Sequence, residues 1–427
     1  MSTVTQEPQQ QPSQQPAFAQ ATGETSLRGA LAAYGQRVRG GDVGSLPAVG
    51  GLLALVIVFA ALKQSTFTNA FNIANLVNQS AGVMVIAMGL VFVLLLGEID
   101  LSAGYAAGTA AAVMGIYMTN HHWPWLLALI AALLTGVVIG SCIGWLVSYL
   151  GIPSFVVTLA AFLGLQGLLL VLIGEGGTIA YRNETVLAIM NKNMSVWLGW
   201  LLLVIVAGGY AALTFRRSVS RRAAGLTGDP ISVWAAKTGA LVLIGILAVL
   251  YLSQERSRNP QISSIKGIPN VVLVILALVI VLTFVLNRTS WGRHVYAVGG
   301  NAEAARRAGI SVATVKLSCF LICSTLAAVA GVLIASRDNS VSPTTGGQQT
   351  LLYAVGAAVI GGTSLFGGKG RIMDAVIGGL VVAVIDNGMS LLNQPQGRVF
   401  IVTGIVLLIA ASVDALSRRR AAATGRG

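Results

Sequence analysis

Apolar residues occupy this chain in long blocks of roughly twenty, divided by short polar or glycine-rich breaks. Blocks of that length fit helices that cross a bilayer, because a spanning strand would alternate apolar and polar positions instead. The pattern predicts helices over Leu46–Leu62, Ser80–Leu96, Leu101–Met118, Pro124–Leu150, Ser154–Ile173, Val196–Phe215 and Lys237–Leu252. Five more follow, over Asn270–Leu286, Thr314–Ala335, Leu351–Phe366, Ile372–Leu392 and Val399–Ala415. The expected fold is an all-α, polytopic helical membrane protein of about 12 spans, occupying residues 46–416. Ahead of it, residues 1–45 start with a Gln- and Pro-rich run that has no apolar core and reads as a disordered tail. A weakly amphipathic surface helix over Leu27–Val38 is the one ordered candidate there, and residues 417–427 form a basic tail. No cleavable signal peptide is expected before the first span.

Composition agrees with this pattern. Charged residues make up 10% of the 427, against roughly 25% in soluble domains. The net charge of +13 would point to nucleic acid in a soluble protein, but here it sorts by side of the membrane. With both termini cytoplasmic, nineteen of the 27 Lys and Arg residues face inward and eight outward. The positive-inside rule accounts for that imbalance, so no nucleic-acid partner is expected. The four arginines of FRRSVSRRAAGLTGDP, from Phe215 to Pro230, read as a topology anchor on anionic lipid. Cys142, Cys319 and Cys323 lie in apolar segments and read as packing residues, and no His or Cys spacing fits a metal.

Two glycine-rich breaks stand at comparable places in the two halves: GEIDLSAG (Gly97–Gly104) and GGTSLFGGKG (Gly361–Gly370). Paired breaks of this kind predict broken helices beside a substrate path, which makes Glu98, Asp100, Ser102, Thr363 and Ser364 candidate pathway or gating residues. A carboxylate at mid-membrane costs roughly 2.5–3.5 kcal/mol, so Glu98 and Asp100 need a cavity or a partner. The competing reading places them near the membrane edge, with Asp100 capping the following helix. Asp386 and Asn387, about two turns from the outer end of their span, suit sugar hydroxyls; an interhelical hydrogen bond explains them equally well. Asp374, near Lys369 and Arg371, reads as interfacial charge neutralisation.

The loop WGRHVYAVGGNAEAARRAGI, Trp291–Ile310, carries its own short helix. Asn301 caps it, Glu303 lies in its first turn, Arg306 and Arg307 in its last, and Gly309 stops it. No catalytic constellation accompanies it. The Gly368–Lys369 pair fails as a phosphate loop, because Thr363 stands where a glycine is needed and Gly370 where Ser or Thr is needed. The chain is therefore not expected to be an enzyme, and the energy for transport must come from an ion gradient or another polypeptide.

The loop resembles the cytoplasmic coupling loop of bacterial monosaccharide ABC-transporter permeases, the ribose, xylose and galactose group. EIDLS (Glu98–Ser102), IPSFVVTLA (Ile152–Ala160), RRSVSRRAAGL (Arg216–Leu226) and DNGMS (Asp386–Ser390) most resemble the D-xylose permeases. The resemblance covers about Leu46–Ala415 and implies a ten-span core plus two extra spans around the basic insert. It also implies a plasma-membrane location, a second permease copy, a cytoplasmic ABC ATPase and an extracytoplasmic sugar-binding protein. ATP and Mg would be held by the ATPase, with no cofactor on this chain. The coupling loop, 288–312, would then dock through Gly300, Asn301, Glu303, Ala304, Ala305, Arg306 and Gly309, where Glu303, Ala304, Ala305 and Gly309 fit an E-A-A-x-x-x-G pattern. One departure is Tyr353, which stands where relatives often carry an Asp. A ribose or nucleoside permease is the near alternative. A proton-coupled carrier using Asp100 or Asp386 is the alternative of another class.

Overall fold

The computed structural model describes residues 44–224, 231–257, 259–261 and 264–423. Most of the amino-terminal tail lies outside them, including the Leu27–Val38 surface helix, as does the end of the basic insert. Every predicted span is helical. In chain order the helices are α1 (Leu46–Leu62), α2 (Gln64–Phe67), α3 (Ala70–Leu95), α4 (Ala103–Gly115), α5 (Trp125–Ser148), α6 (Ser154–Ile173), α7 (Glu184–Asn191) and α8 (Val196–Ala223). They continue as α9 (Ile231–Leu252), α10 (Val271–Arg288), α11 (Ser290–Gly300), α12 (Ala302–Arg307), α13 (Val312–Asp338), α14 (Gln348–Gly361), α15 (Ile372–Leu391) and α16 (Gln396–Ala423). Among the described residues, nine helices are long and apolar enough to cross a membrane. The other three predicted spans are the shorter apolar α1 and two interrupted elements, α4 and α14.

Helix α13 is the central post, largely buried between α3, α4 and α5. Glycines on α5 make this closeness possible. Gly136, Gly140 and Gly144 recur every four residues and lie against the α13 backbone near Ser324, Leu321 and Leu317. In a membrane, where apolar burial gives little drive, such small-residue stripes let dispersion hold two helices together. A leucine at Gly140 would collide with the Phe320 carbonyl and the Leu321 backbone. By contrast, α8, α9, α10 and α16 bury few of their apolar side chains, as lipid-facing helices do.

The two interrupted elements set the internal geometry. After α3 the chain is irregular over residues 98–100, and it turns into α4 only at Ala103. Helix α4 runs beside the second half of α13, with Gly331 against Ala107, and a π-helical turn (Ile116–Asn120) completes it. After α13 the chain folds back: Gly346 lies against Gly104 and Gly108, and α14 starts beside it. The amino ends of α4 and α14 thus meet inside the bundle. The first break, GEIDLSAG, is a broken helix as expected. The second mid-depth break is Ser342–Gly347, whereas GGTSLFGGKG is a turn between α14 and α15 at the bundle end. Its glycines serve close packing, since Gly367 and Gly368 take φ of +85° and +73° against Gly299 and Leu95.

At the end of the bundle opposite that turn, a strand pair joins Ile179–Ala180 to Ser340–Val341, and the 253–269 connection is tied by one carboxylate. Glu255 accepts from Ser264 Oγ (2.6 Å) and from the amides of Ser257 (3.0 Å), Ile265 (2.9 Å) and Arg256 (3.0 Å). The Ser264 bond, then the amides, lower its carboxyl from 4.5 to about 2. The depressed value means that the tie is complete above pH 4.5 and is lost only as pH falls through about 2. Glu255→Gln is therefore expected to lower hydrogen-exchange protection of the Ser257 and Ile265 amides at neutral pH; equal protection would contradict the tie.

Candidate functional site

A polar cavity of about 530 Å³ lies at the end of the bundle away from the Trp291–Ile310 loop. It is lined from α3 by Asn75, Gln79 and Ser80, from α13 by Arg337 and Asp338, and from α14 by Gln349 and Tyr353. Asp386 of α15 completes the wall, and Thr345 and Gly346 of the descending segment line it beside the broken-helix junction. The volume suits a small polar ligand. Hydroxyls, amides, a guanidinium and carboxylates together offer donors and acceptors in every direction. Tyr353 adds an aromatic face. Its hydroxyl donates to Asp386 Oδ1 (3.2 Å) and accepts from Gln349 Nε2 (3.3 Å).

Asp386 and its sequence neighbour part company here. Asp386 lines the cavity, while Asn387, about 100° round the helix, is outside the lining and exchanges two hydrogen bonds with Asn72 (2.9 and 3.0 Å). It also donates to Gln79 Oε1 at 3.3 Å. Asn387 is thus an interhelical clasp between α3 and α15. The cavity residues Gln79, Arg337, Asp338, Thr345 and Gln349 were not singled out from sequence. The signal for most of them is the polar run Asp338–Thr350 between two apolar helices, too long and too polar for a tight turn.

Glu98 and Asp100 lie at different depths. Glu98 forms an ion pair with Lys316, near the start of α13. Asp100 is fully buried against the Cys323 thiol, roughly 10 Å beyond Lys316 along the helix. Its Oδ1 accepts from the Ser102 amide (2.9 Å) and hydroxyl (2.6 Å), which ties the first turn of α4. Asp100 is therefore deep and is not the N-cap: that position is Ser102, which Asp100 holds from two residues ahead. Neither it, Glu98 nor Ser102 lines the cavity. Thr363 and Ser364 are buried in the α14–α15 turn, where Ser364 accepts from the Phe366 amide (3.0 Å). The structure does not bring these two to the cavity either.

The loop is a helix pair rather than one short helix. Thr289 accepts from the Gly292 amide (3.1 Å) and starts α11, whose buried side carries Gly292, Val295 and Val298. Trp291 Nε1 donates to Ser318 Oγ (2.8 Å) and Tyr296 Oη to the Gly370 carbonyl (2.8 Å). At its close, Gly299 sits against the Leu95 carbonyl and Gly368, so no side chain fits there. Asn301 then accepts from the Ala304 amide (2.9 Å) and caps α12. Glu303 pairs with Arg306 (3.0 Å) and Arg307 (3.3 Å), and Gly309 takes a φ of +82° after the last turn. Asn301, Glu303, Ala304, Arg306 and Arg307 are exposed. Ala305 is not: it is 4% exposed and packs into this chain's own core, so its small size serves the loop's seating.

The sequence profile described as "Branched-chain amino acid transport system / permease component" matches residues 72–411. The chain is 34% identical over 372 residues to the xylose transport system permease protein XylH of Escherichia coli K12, covering 87% of this chain and 92% of that one. It is 35% identical over 372 residues to XylH of Haemophilus influenzae, covering 86% and 96%. The ribose import permease protein RbsC of Escherichia coli K12 is 28% identical over 367 residues, covering 85% and 91%. No solved structure matches the chain. Broken helices, a polar cavity and a seated loop helix therefore occur in a multi-pass membrane protein that belongs to this family of transport-system permease components, whose members are transport subunits rather than enzymes.

Proposed function

We propose that this chain is the permease of an ATP-driven monosaccharide importer, with D-xylose as its cargo. The observation that carries the reading is the polar cavity beside two broken helices, at the bundle end opposite an exposed, charge-capped helix. The cavity end faces outward in this reading, because the basic clusters Arg216–Arg217 and Arg306–Arg307 mark the other end as cytoplasmic. Both termini are then cytoplasmic. A binding protein delivers sugar to the cavity mouth, where Asp386, Arg337 and Gln349 meet its hydroxyls and Tyr353 offers a stacking face.

Helix α12 is the contact for a cytoplasmic ABC ATPase, through Gly300, Asn301, Glu303, Ala304, Arg306 and Gly309. ATP and Mg act at that subunit. Two permease copies form the pathway within the lipid, and the ATPase pair moves them between outward- and inward-open states. Tyr296, hydrogen-bonded to Gly370, couples α11 to the turn holding Thr363 and Ser364. The Glu98–Lys316 pair spans the same end of the bundle, which makes it a candidate inner gate.

Xylose is taken from the relatives at 34% and 35% identity, both named for that sugar. A deletion strain carrying this gene, its ATPase and its binding protein is expected to take up radiolabelled D-xylose. Excess unlabelled D-xylose should compete and D-ribose should not. Uptake competed by ribose but not by xylose would reassign the cargo.

A further inference from the structure

We infer that Tyr105, Gln166 and Gln348 form a hydrated polar step at mid-membrane, over which sugar leaves the cavity on its way inward. The step rests on the importer reading above and extends the sugar's route past the cavity wall. Its residues come from α4, α6 and the start of α14, and none of them lines the cavity. Contacts place them side by side. The Tyr105 ring lies 4.8 Å from that of Phe162, edge to face. Gln166 is one helical turn beyond Phe162, on the same side of α6. A Cβ at Gly347, the residue before Gln348, would meet the Tyr105 ring at 3.7 Å. All three lie at one level. Gln166 is about 18 Å along α6, whose 20 residues rise about 30 Å. Gly104 and Gly108 of α4 pack on the Thr345–Gly347 segment, and Gly108 also meets Leu169 of α6.

Their polar groups are bare. Among the described residues, no hydrogen bond engages the Tyr105 hydroxyl or either glutamine amide. Tyr105 is 7% exposed, but its hydroxyl is not sealed in; Gln166 is partly exposed and Gln348 exposed. Acyl chains offer no hydrogen bonds, so three such groups at this level are unfavourable against lipid. Water and sugar hydroxyls satisfy them, because amides and phenols both donate and accept. Thr344 and Gln349, close to Gln348 in the chain, line the cavity, so the step begins where the cavity wall ends. In the importer, the second permease copy over this face keeps lipid away from it.

Thiol labelling of the full permease, reconstituted with its ATPase and binding protein, tests the step. Cys142 is the exposed native thiol and Cys319 and Cys323 are buried, so the parent is Cys142→Ala. Gln166→Cys and Gln348→Cys are compared with Leu168→Cys, an exposed position on the opposite side of α6. A charged methanethiosulfonate reacts with thiolates, which form in water and not in lipid, so both glutamine positions should label at least about tenfold faster. Gln348→Leu should lower the maximal rate of D-xylose uptake about 2- to 12-fold, the loss of one neutral hydrogen bond. The half-saturating sugar concentration, set by the binding protein, should not move. Co-purification with the ATPase checks that each variant folds. Labelling as slow as that of Leu168→Cys would overturn the step, as would native uptake in Gln166→Leu/Gln348→Leu. Fast labelling in a parent that takes up no sugar with ATP would support the hydrated face and overturn the importer reading instead.

Discussion

Asp386→Ala is expected to lower substrate uptake roughly 10- to 150-fold, which corresponds to losing one hydrogen bond to a charged group worth about 1.5–3 kcal/mol. Asp386 is the acceptor on the cavity wall that Tyr353 engages, so the change removes both the proposed ligand contact and the group that orients the ring. Truncation opens space in an already open, polar cavity rather than in the packed core, so it should cost the fold little. The loss should therefore appear in uptake and not in the amount of permease in the membrane. Asp386→Asn keeps an acceptor and removes the charge, which separates the two contributions. Uptake near the native level in Asp386→Asn would assign the effect to hydrogen bonding. Native uptake in Asp386→Ala would remove Asp386 from the site.

Glu303→Arg is expected to weaken ATPase association at least tenfold, in a co-purification of permease and ATPase. Glu303 is more than half exposed, and its pairs with Arg306 and Arg307 lie in solvent, where such pairs contribute little to stability. Reversing its charge leaves the Asn301 cap and the buried Ala305 in place, so α12 should still form. It would, however, place three arginines on one exposed turn of a docking helix and repel any basic groove edge. Gly309→Leu gives a second probe, since φ of +82° strains any residue with a Cβ and would displace the end of the same helix. Unchanged association in Glu303→Arg would place docking elsewhere on the chain.

Much of this architecture was legible in the sequence. Apolar blocks located all the helices that bury or expose a spanning surface, and the Asn301, Glu303, Arg306 and Gly309 pattern located α12 to within a residue. Helix ends and mid-depth breaks were harder, because hydropathy registers composition and not depth. Glu98 and Asp100, two residues apart, meet partners about two helical turns apart along α13, and only packing reveals it. Likewise GGTSLFGGKG resembles a broken helix by composition, yet its glycines serve contact with Gly299. Asp386 and Asn387 share a motif but take different partners, about 100° apart around α15, a distinction that helical periodicity raises and only tertiary contacts decide. The cavity wall itself draws on four helices and the segment between α13 and α14, so no single motif could announce it.

The central claim is that a separate ATPase, engaged through α12, drives sugar past the cavity. Its most direct test is uptake by sealed proteoliposomes containing this permease, its ATPase and its binding protein, with no ion gradient imposed. The account predicts that D-xylose accumulates when ATP is present at the ATPase side and that Glu303→Arg abolishes this accumulation. Accumulation without ATP, driven by an imposed proton gradient and lost in Asp100→Asn or Asp386→Asn, would contradict it and identify a proton-coupled carrier.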